Sequence, residues 1–130
     1  MNDMARAARR VLVVDDNADA AESLAMLLEA NGDAVRVAYD GEEALGAEGD
    51  FRPEVVLLDI GMPKLSGYEV ARRIRDARGG DVLIVAITGW GQEEDRRRAR
   101  EAGFDHHFTK PVDYQALLDV INAGAAPANA

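Results

Sequence analysis

Side chains that could do chemistry follow several short apolar runs of this 130-residue sequence. Asp15 and Asp16 come directly after one run, and Asp59 comes directly after another. Two later runs end in a hydroxyl and an ammonium group, those of Thr88 and Lys110. An acidic cluster of oxygen ligands without cysteine or histidine suits a hard cation. These residues therefore predict a site for Mg²⁺, with Mn²⁺ as a possible substitute.

Each of these residues also has an ordinary structural explanation, because aspartate and threonine often cap helices or form turns. A capping role does not explain the lysine, which would face three crowded carboxylates. Such carboxylates repel one another unless a positive group lies among them. Taken together, the five residues favour a functional site over a set of unrelated caps.

The elements that must position these residues alternate between strands and helices. Strands are predicted from the apolar runs Val11–Val14, Val55–Leu58 and Val82–Ile87, with weaker strands at Ala34–Tyr39 and His106–Thr109. Helix starts are indicated by Asp40 with Glu43, by Ser66 with Glu69 and by Asp113, and a helix end by Asn31-Gly32. The βα unit occurs five times, which predicts a parallel sheet with helices on both faces and ligands at the carboxyl ends of the strands.

The fourth predicted helix, roughly Gln92 to Ala102, differs from the others because it is almost entirely charged. It offers only Ala99 and Ala102 for burial. We expect it to depend on ion pairs one turn apart, namely Glu93–Arg97, Glu94–Arg98 and Arg97–Glu101, each of which is weak. A helix of this kind should dock weakly and move readily.

Composition excludes several classes of function. The 24 acidic residues outnumber the 15 basic ones, and the net charge of −9 disfavours binding to nucleic acid or to an anionic membrane surface. The run Arg96-Arg97-Arg98 is best explained as a solvated helix face, with protein docking as the minority interpretation. No apolar stretch has the length of a membrane span, and the absence of cysteine fits a cytoplasmic location.

The segments VLVVDD, VVLLDIGMPKLSGYEV, VAITG and FTKPV together resemble the response-regulator receiver domains of two-component signalling systems, from about Arg10 to Asn122. The resemblance implies a flavodoxin-like α/β fold, a doubly wound five-stranded parallel sheet in the order 2-1-3-4-5 with five helices. It also implies that Asp59 is the phosphoacceptor. Asp16, Asp59 and the backbone carbonyl of Gly61 would ligate Mg²⁺, and Asp15 would contribute mainly through water.

Other site residues are implied by the same resemblance. Thr88 and Lys110 would contact the phosphoryl oxygens, and Pro111 would follow a cis peptide bond. The family usually has tyrosine or phenylalanine three residues before the lysine, as a switch residue that turns inward when the threonine moves, and this sequence has His107 at that switch position. Because imidazole is smaller than phenol and its cation is costly to bury, we expect His107 to face outward and contact partners. Trp90 is expected to shield the site.

The function that these observations imply is a phosphorylation switch rather than an enzyme. Its phosphodonor would be a phosphohistidine on a sensor histidine kinase or on a histidine phosphotransfer protein. An alternative is an interaction module of the same fold that works without phosphorylation. A second alternative is an Mg²⁺-dependent aspartyl-phosphate phosphatase, but that family has another aspartate at the position that Gly61 occupies.

The expected domain organisation is an N-terminal extension over residues 1–9, a receiver domain over 10–123 and a flexible tail over 124–130. The chain would be a stand-alone regulator or the receiver of a longer protein such as a hybrid histidine kinase. We expect a monomer or a weak homodimer through the fourth helix, fifth strand and fifth helix.

Overall fold

A five-stranded parallel sheet forms the centre of the fold in this computed structural model, which describes residues 8–62, 65–89 and 93–124. The strands are β1 (Arg10–Val14), β2 (Ala34–Ala38), β3 (Val55–Asp59), β4 (Leu83–Thr88) and β5 (His106–Thr109). Their order across the sheet is β2-β1-β3-β4-β5, which confirms the predicted topology. In this order β1 and β3 are neighbours at the centre, so the residues that follow them meet at one edge of the sheet.

An α-helix follows each of the five strands, as the sequence predicts. The helices are α1 (Ala18–Ala30), α2 (Gly41–Phe51), α3 (Gly67–Arg78), α4 (Glu93–Ala102) and α5 (Tyr114–Gly124). The predicted caps form, since the side chains of Asp40, Ser66 and Asp113 accept hydrogen bonds from the backbone of the first turns of α2, α3 and α5. Gly32 ends α1 with a φ of 100°, a conformation that glycine adopts without strain. None of the helices within the described ranges is long and apolar enough to cross a lipid bilayer.

The core lies on both faces of the sheet, because successive strand residues point to opposite sides. Leu12 and Val14 of β1 pack with residues of α2, α3 and α4. Val11 and Val13 pack on the other side with residues of α1 and α5. β1 from Val11 to Val14 and β3 from Val55 to Leu58 are therefore continuously apolar, as expected for strands covered on both faces.

Helix α4 is attached to the core by few apolar side chains. Ala99 and Ala102 are buried, as predicted. The prediction of an Arg97–Glu101 ion pair is wrong, since no ion pair joins these two described residues. The physical reason is that an exposed ion pair gains little free energy over the hydration of its separate charges. The side chains of the acidic partners at 93 and 94 lie outside the described part of the chain. Arg98 lies 4.3 Å from the centre of the Tyr68 ring on α3.

The end of α4 has a stronger attachment. Arg75 of α3 donates hydrogen bonds to the carbonyl of Gly103 at 2.7 Å and to the carboxylate of Asp105 at 2.7 Å. The same carboxylate accepts a bond from the backbone N–H of Ile84 at 2.9 Å. A single guanidinium group thus ties the segment after α4 to the start of β4.

Candidate functional site

Three carboxylates converge at the carboxyl edge of the sheet. Asp15 and Asp16 follow β1, and Asp59 is the last residue of β3. One oxygen from each residue lies within 4.8 Å of the others. Asp15 and Asp59 are buried, whereas Asp16 is exposed to solvent. The structure therefore brings together the acidic cluster that the sequence predicts.

Lys110 supplies positive charge to this cluster. Its ammonium group lies 3.3 Å from Oδ2 of Asp15 and 3.7 Å from Oδ2 of Asp59. The side chain is 38% exposed, so water screens part of the attraction. Among the residues that the structure describes here, one ammonium group faces three carboxylates, so they carry an excess of negative charge.

Backbone groups hold the two buried carboxylates in place. The N–H of Asn17 donates to Oδ1 of Asp15 at 2.9 Å, and the N–H of Gly61 donates to Oδ1 of Asp59 at 2.9 Å. These bonds leave Oδ2 of both residues on the side of Lys110. The orientation of each carboxylate is thus fixed by the loop that follows its own strand.

The remaining residues of the predicted site are on β4 and just after β5. Thr88 is the last residue of β4 and is buried. Its carbonyl accepts a hydrogen bond from the backbone N–H of Lys110 at 2.8 Å, which fixes the start of the loop after β5 against β4. The Lys110–Pro111 peptide bond is cis, the conformation that the resemblance implies.

The surroundings of Asp59 shift its pKa. Burial raises the pKa of Asp59 above 3.8, the ordinary value for aspartate, and the charge of Asp15 raises it further. The hydrogen bond from Gly61 and the charge of Lys110 lower the pKa of Asp59 and offset part of this rise. The ionised form of Asp59 is therefore destabilised in the absence of further positive charge.

These residues fit a hard divalent cation. Their donor atoms are carboxylate oxygens, which Mg²⁺ prefers, and the cluster has more negative charge than Lys110 balances. A cation would also favour the ionised form of Asp59. Gly61 is exposed, and a methyl group at its Cα would lie 3.7 Å from Oδ1 of Asp59, so this position leaves the site open.

The expectation that His107 faces outward is wrong. His107 is only partly exposed, and both of its ring nitrogens are shielded from solvent. In the β4–β5 register His107 lies opposite Ala86, whose side chain belongs to the core beneath α4. The ring therefore lies on the sheet face that α4 covers. Trp90, which was expected to shield the site, lies outside the described residues.

Sequence reasoning missed Gly67, the first residue of α3. A Cβ at this position would lie 2.8 Å from the carbonyl oxygen of Asp59 and 2.7 Å from Cα of Ile60. Only glycine lets α3 approach the end of β3 this closely. The signal was a glycine directly after the capping Ser66, but capping does not require glycine there, so only the tertiary contact reveals its role.

Comparison with known proteins agrees with this geometry. Residues 11–122 match the family model of the response regulator receiver domain. The response regulator MprA of Mycolicibacterium vanbaalenii is 40% identical over 109 residues, which cover 84% of this chain and 47% of that protein. The chain thus spans about half the length of this relative.

Two crystal structures have the same fold. The CheY-like receiver domain protein of Methanospirillum hungatei superposes with a TM-score of 0.86 at 28% identity, covering 92% of this chain and 94% of that one. A Burkholderia pseudomallei response regulator, solved with a phosphorylated aspartic acid, a calcium ion and citrate, has a TM-score of 0.82 at 29% identity. This superposition covers 93% of this chain and 71% of the Burkholderia chain.

Proposed function

This chain belongs to the response regulator receiver domain family, and from that premise we propose that it is a phosphoacceptor switch whose acceptor is Asp59. Members of the family interact with histidine kinases or phosphotransfer proteins. The phosphodonor would be a phosphohistidine on such a protein. The observation that carries the proposal is the position of Asp59, a buried carboxylate at the centre of the acidic cluster with a lysine ammonium group 3.7 Å away.

The transfer needs little covalent chemistry from the protein. A carboxylate oxygen of Asp59 forms a bond to phosphorus, and the bond between phosphorus and the donor imidazole breaks. The electron pair of that bond stays on the imidazole nitrogen, and the product is an acyl phosphate. A general base is not required, because an ionised carboxylate has no proton to lose.

The residues around Asp59 would stabilise the charge of the transferred group. Lys110 is placed to pair with a phosphoryl oxygen, and the hydroxyl of Thr88 would donate to another. Asp15, Asp16, Asp59 and the backbone carbonyl of Gly61 would hold Mg²⁺. When bound, the cation would neutralise negative charge on the phosphoryl oxygens.

The output of the switch would be a movement of α4. A phosphoryl group adds about −1.5 to −2 charges and new hydrogen-bond acceptors. Thr88 would shift toward them and change the segment that leads to α4, whose buried residues between 96 and 102 are the small Ala99 and Ala102. A local electrostatic change would thus alter the surface that partners meet.

Incubation with acetyl phosphate and Mg²⁺ tests this proposal by intact-protein mass measurement. We expect one added phosphoryl group on the wild type and none on Asp59→Asn. Asp50→Asn is the matched control, because Asp50 is an exposed residue of α2 outside the acidic cluster. Equal labelling of Asp59→Asn would place the acceptor elsewhere, and absence of labelling on the wild type would favour the phosphorylation-independent module.

A further inference from the structure

β5 leads to Lys110 of the acidic site, and it has few neighbours that could fix its position. The strand is four residues long and lies at the edge of the sheet, where it pairs with β4. Its residues are exposed or partly exposed, which limits its apolar contacts. A register shift of one residue would turn Lys110 away from Asp15 and Asp59, because successive side chains of a strand point to opposite faces. The position of Lys110 therefore depends on what sets the register of β5.

Asp105, which directly precedes β5, bonds to β4 through both its backbone and its side chain. Its N–H donates to the carbonyl of Ile84 at 2.7 Å, and its carboxylate accepts from the N–H of Ile84 at 2.9 Å. Two bonds to one residue of β4 define a single register, because a shift of β5 would break both. At the other end of the strand the N–H of Lys110 donates to the carbonyl of Thr88 at 2.8 Å. β5 is thus anchored to β4 at both ends.

Arg75 of α3 holds Asp105 in this position. Its guanidinium group donates to the carboxylate of Asp105 at 2.7 Å and to the carbonyl of Gly103 at 2.7 Å. It also donates at 2.6 and 2.8 Å to the carbonyls of Gly79 and Val82, which lie in the connection from α3 to β4. The approaches to β4 and β5 are therefore joined by one planar group whose donors have a fixed geometry. The Arg75 side chain is 22% exposed, so water competes less for these bonds than it does at an exposed pair.

We propose that Arg75 is a positioning residue for phosphoryl transfer, because it fixes the register of β5 and thereby places the ammonium group of Lys110. This inference rests on the proposed function. Arg75 bonds to the residue before β5, and Lys110 follows β5, so a strand of four residues, about 13 Å long, separates them. The effect of Arg75 would pass through this strand. A displacement of about 1 Å between reacting groups can lower a rate by about 100-fold, so a small movement of Lys110 is enough.

A role in stability alone is the alternative explanation of Arg75. In that case its loss would lower the free energy of unfolding without changing the chemistry of the folded protein. The two roles differ in their relation to Lys110. A positioning role requires that the loss of Arg75 has no further effect once the ammonium group of Lys110 is absent, whereas a role in stability acts whether or not that group is present.

The rate of labelling by acetyl phosphate and Mg²⁺, followed by intact-protein mass, tests the proposal in a double-mutant cycle. We expect Arg75→Gln to lower this rate by about tenfold when Lys110 is present. In the Lys110→Ala background, where long incubations measure the slower reaction, the same change should alter the rate by less than about twofold. The affinity for Mg²⁺, measured by NMR titration, should not weaken in Arg75→Gln, because the proposed metal ligands belong to β1, β3 and the loops that follow them.

Arg73→Gln is the matched control, since it removes an equal charge from α3 and breaks an exposed ion pair with Glu69. It should leave the rate within about twofold of the wild-type value. Asp105→Asn removes the charge that pairs with Arg75 and keeps a side-chain acceptor, so it gives a second measurement if Arg75→Gln does not fold. It should lower the rate in the same direction and with the same dependence on Lys110.

Amide-hydrogen exchange at Lys110, measured without a phosphodonor, tests the placement of this residue separately from the proposed function. We expect faster exchange in Arg75→Gln than in the wild type, because the bond to the carbonyl of Thr88 loosens when β5 shifts. Unchanged exchange would overturn the proposal, as would equal labelling rates of folded Arg75→Gln and the wild type. An equal loss of rate in both Lys110 backgrounds would identify a purely structural role. Absence of labelling on the wild type would instead contradict the proposed function, and exchange at Lys110 would then decide whether Arg75 places it.

Discussion

Neutralising Asp59 should stabilise the metal-free protein, although it removes the proposed acceptor. The carboxylates of Asp15 and Asp16 have oxygens within 4.8 Å of an Asp59 oxygen. At an effective dielectric constant of about 20, two like charges at that distance repel by roughly 3.5 kcal/mol. Lys110, at 3.7 Å, attracts Asp59 by roughly 4.5 kcal/mol on the same basis. The two repulsions exceed this one attraction by roughly 2.5 kcal/mol.

Water reduces this difference, because Asp16 and Lys110 are both exposed. Burial of the Asp59 carboxylate acts in the same direction as the repulsion. We therefore expect Asp59→Asn to raise the free energy of unfolding by about 1–2 kcal/mol at neutral pH without divalent cations. For a domain of this size the gain corresponds to a Tm increase of about 4–8 °C.

The stability that Asp59→Asn gains over the wild type should depend on pH. Because the folded-state pKa of Asp59 is raised, the folded protein holds this proton more tightly than the unfolded chain does. The stabilising effect of the proton is complete below the ordinary aspartate value of 3.8 and is lost as the pH rises through the folded-state pKa. The difference between wild type and Asp59→Asn should therefore be largest near neutral pH and should shrink toward pH 3.8.

Thermal unfolding followed by circular dichroism, with and without Mg²⁺, checks this prediction. Mg²⁺ at ten times its dissociation constant should stabilise the wild type by about 1.4 kcal/mol and Asp59→Asn by less. Asp50→Asn should match the wild type in both conditions, and a potassium salt of equal ionic strength controls for screening. If Asp59→Asn is no more stable than the wild type without metal at neutral pH, the carboxylates do not repel one another as argued.

Other consequences concern stability and coupling. Glu48→Ala leaves the buried side chain of Arg78 without its ion-pair partner, and it should lower the free energy of unfolding in denaturant by about 3 kcal/mol. Glu69→Ala breaks an exposed pair on α3 and should lower it by less than about 0.5 kcal/mol. Gly67→Ala should cost about 2 kcal/mol or more, measured in the same way, because its Cβ would meet the backbone at the end of β3. Thr88→Ala should still accept the phosphoryl analogue beryllofluoride, yet lose the change in amide-hydrogen exchange across α4 that the wild type shows. An unchanged exchange response would exclude Thr88 as the link to α4.

The parts of this structure that the sequence predicts depend on neighbours in the chain. A cap needs only the residue at the start of a helix and the backbone three residues later, so Asp40 and Ser66 identify the starts of α2 and α3. A buried strand needs an apolar run, which β1 and β3 have. Once these elements are ordered, the rules for parallel sheets place Asp15 and Asp59 at one edge without any knowledge of side-chain contacts.

The parts that the sequence does not predict depend on residues far apart in the chain. The contact of Arg98 with the Tyr68 ring joins α4 to α3, and no local pattern indicates it. Gly67 matters because α3 approaches the backbone of Asp59. His107 was expected to face outward, but the sheet register directs it to the face that α4 covers. In each case a long-range contact outweighs the local preference.

The attachments of α4 also indicate how a change at Asp59 would reach this helix. Arg75 holds the carbonyl of Gly103, so the segment after α4 is fixed to α3. The other end of α4 follows Thr88, whose carbonyl is bonded to the N–H of Lys110. A shift of Thr88 and Lys110 would therefore move the start of α4 more than its end. Because Arg96 lies nearer that start than Arg100 does, we expect phosphorylation to alter the position of Arg96 first and to change the spacing of the two guanidinium groups.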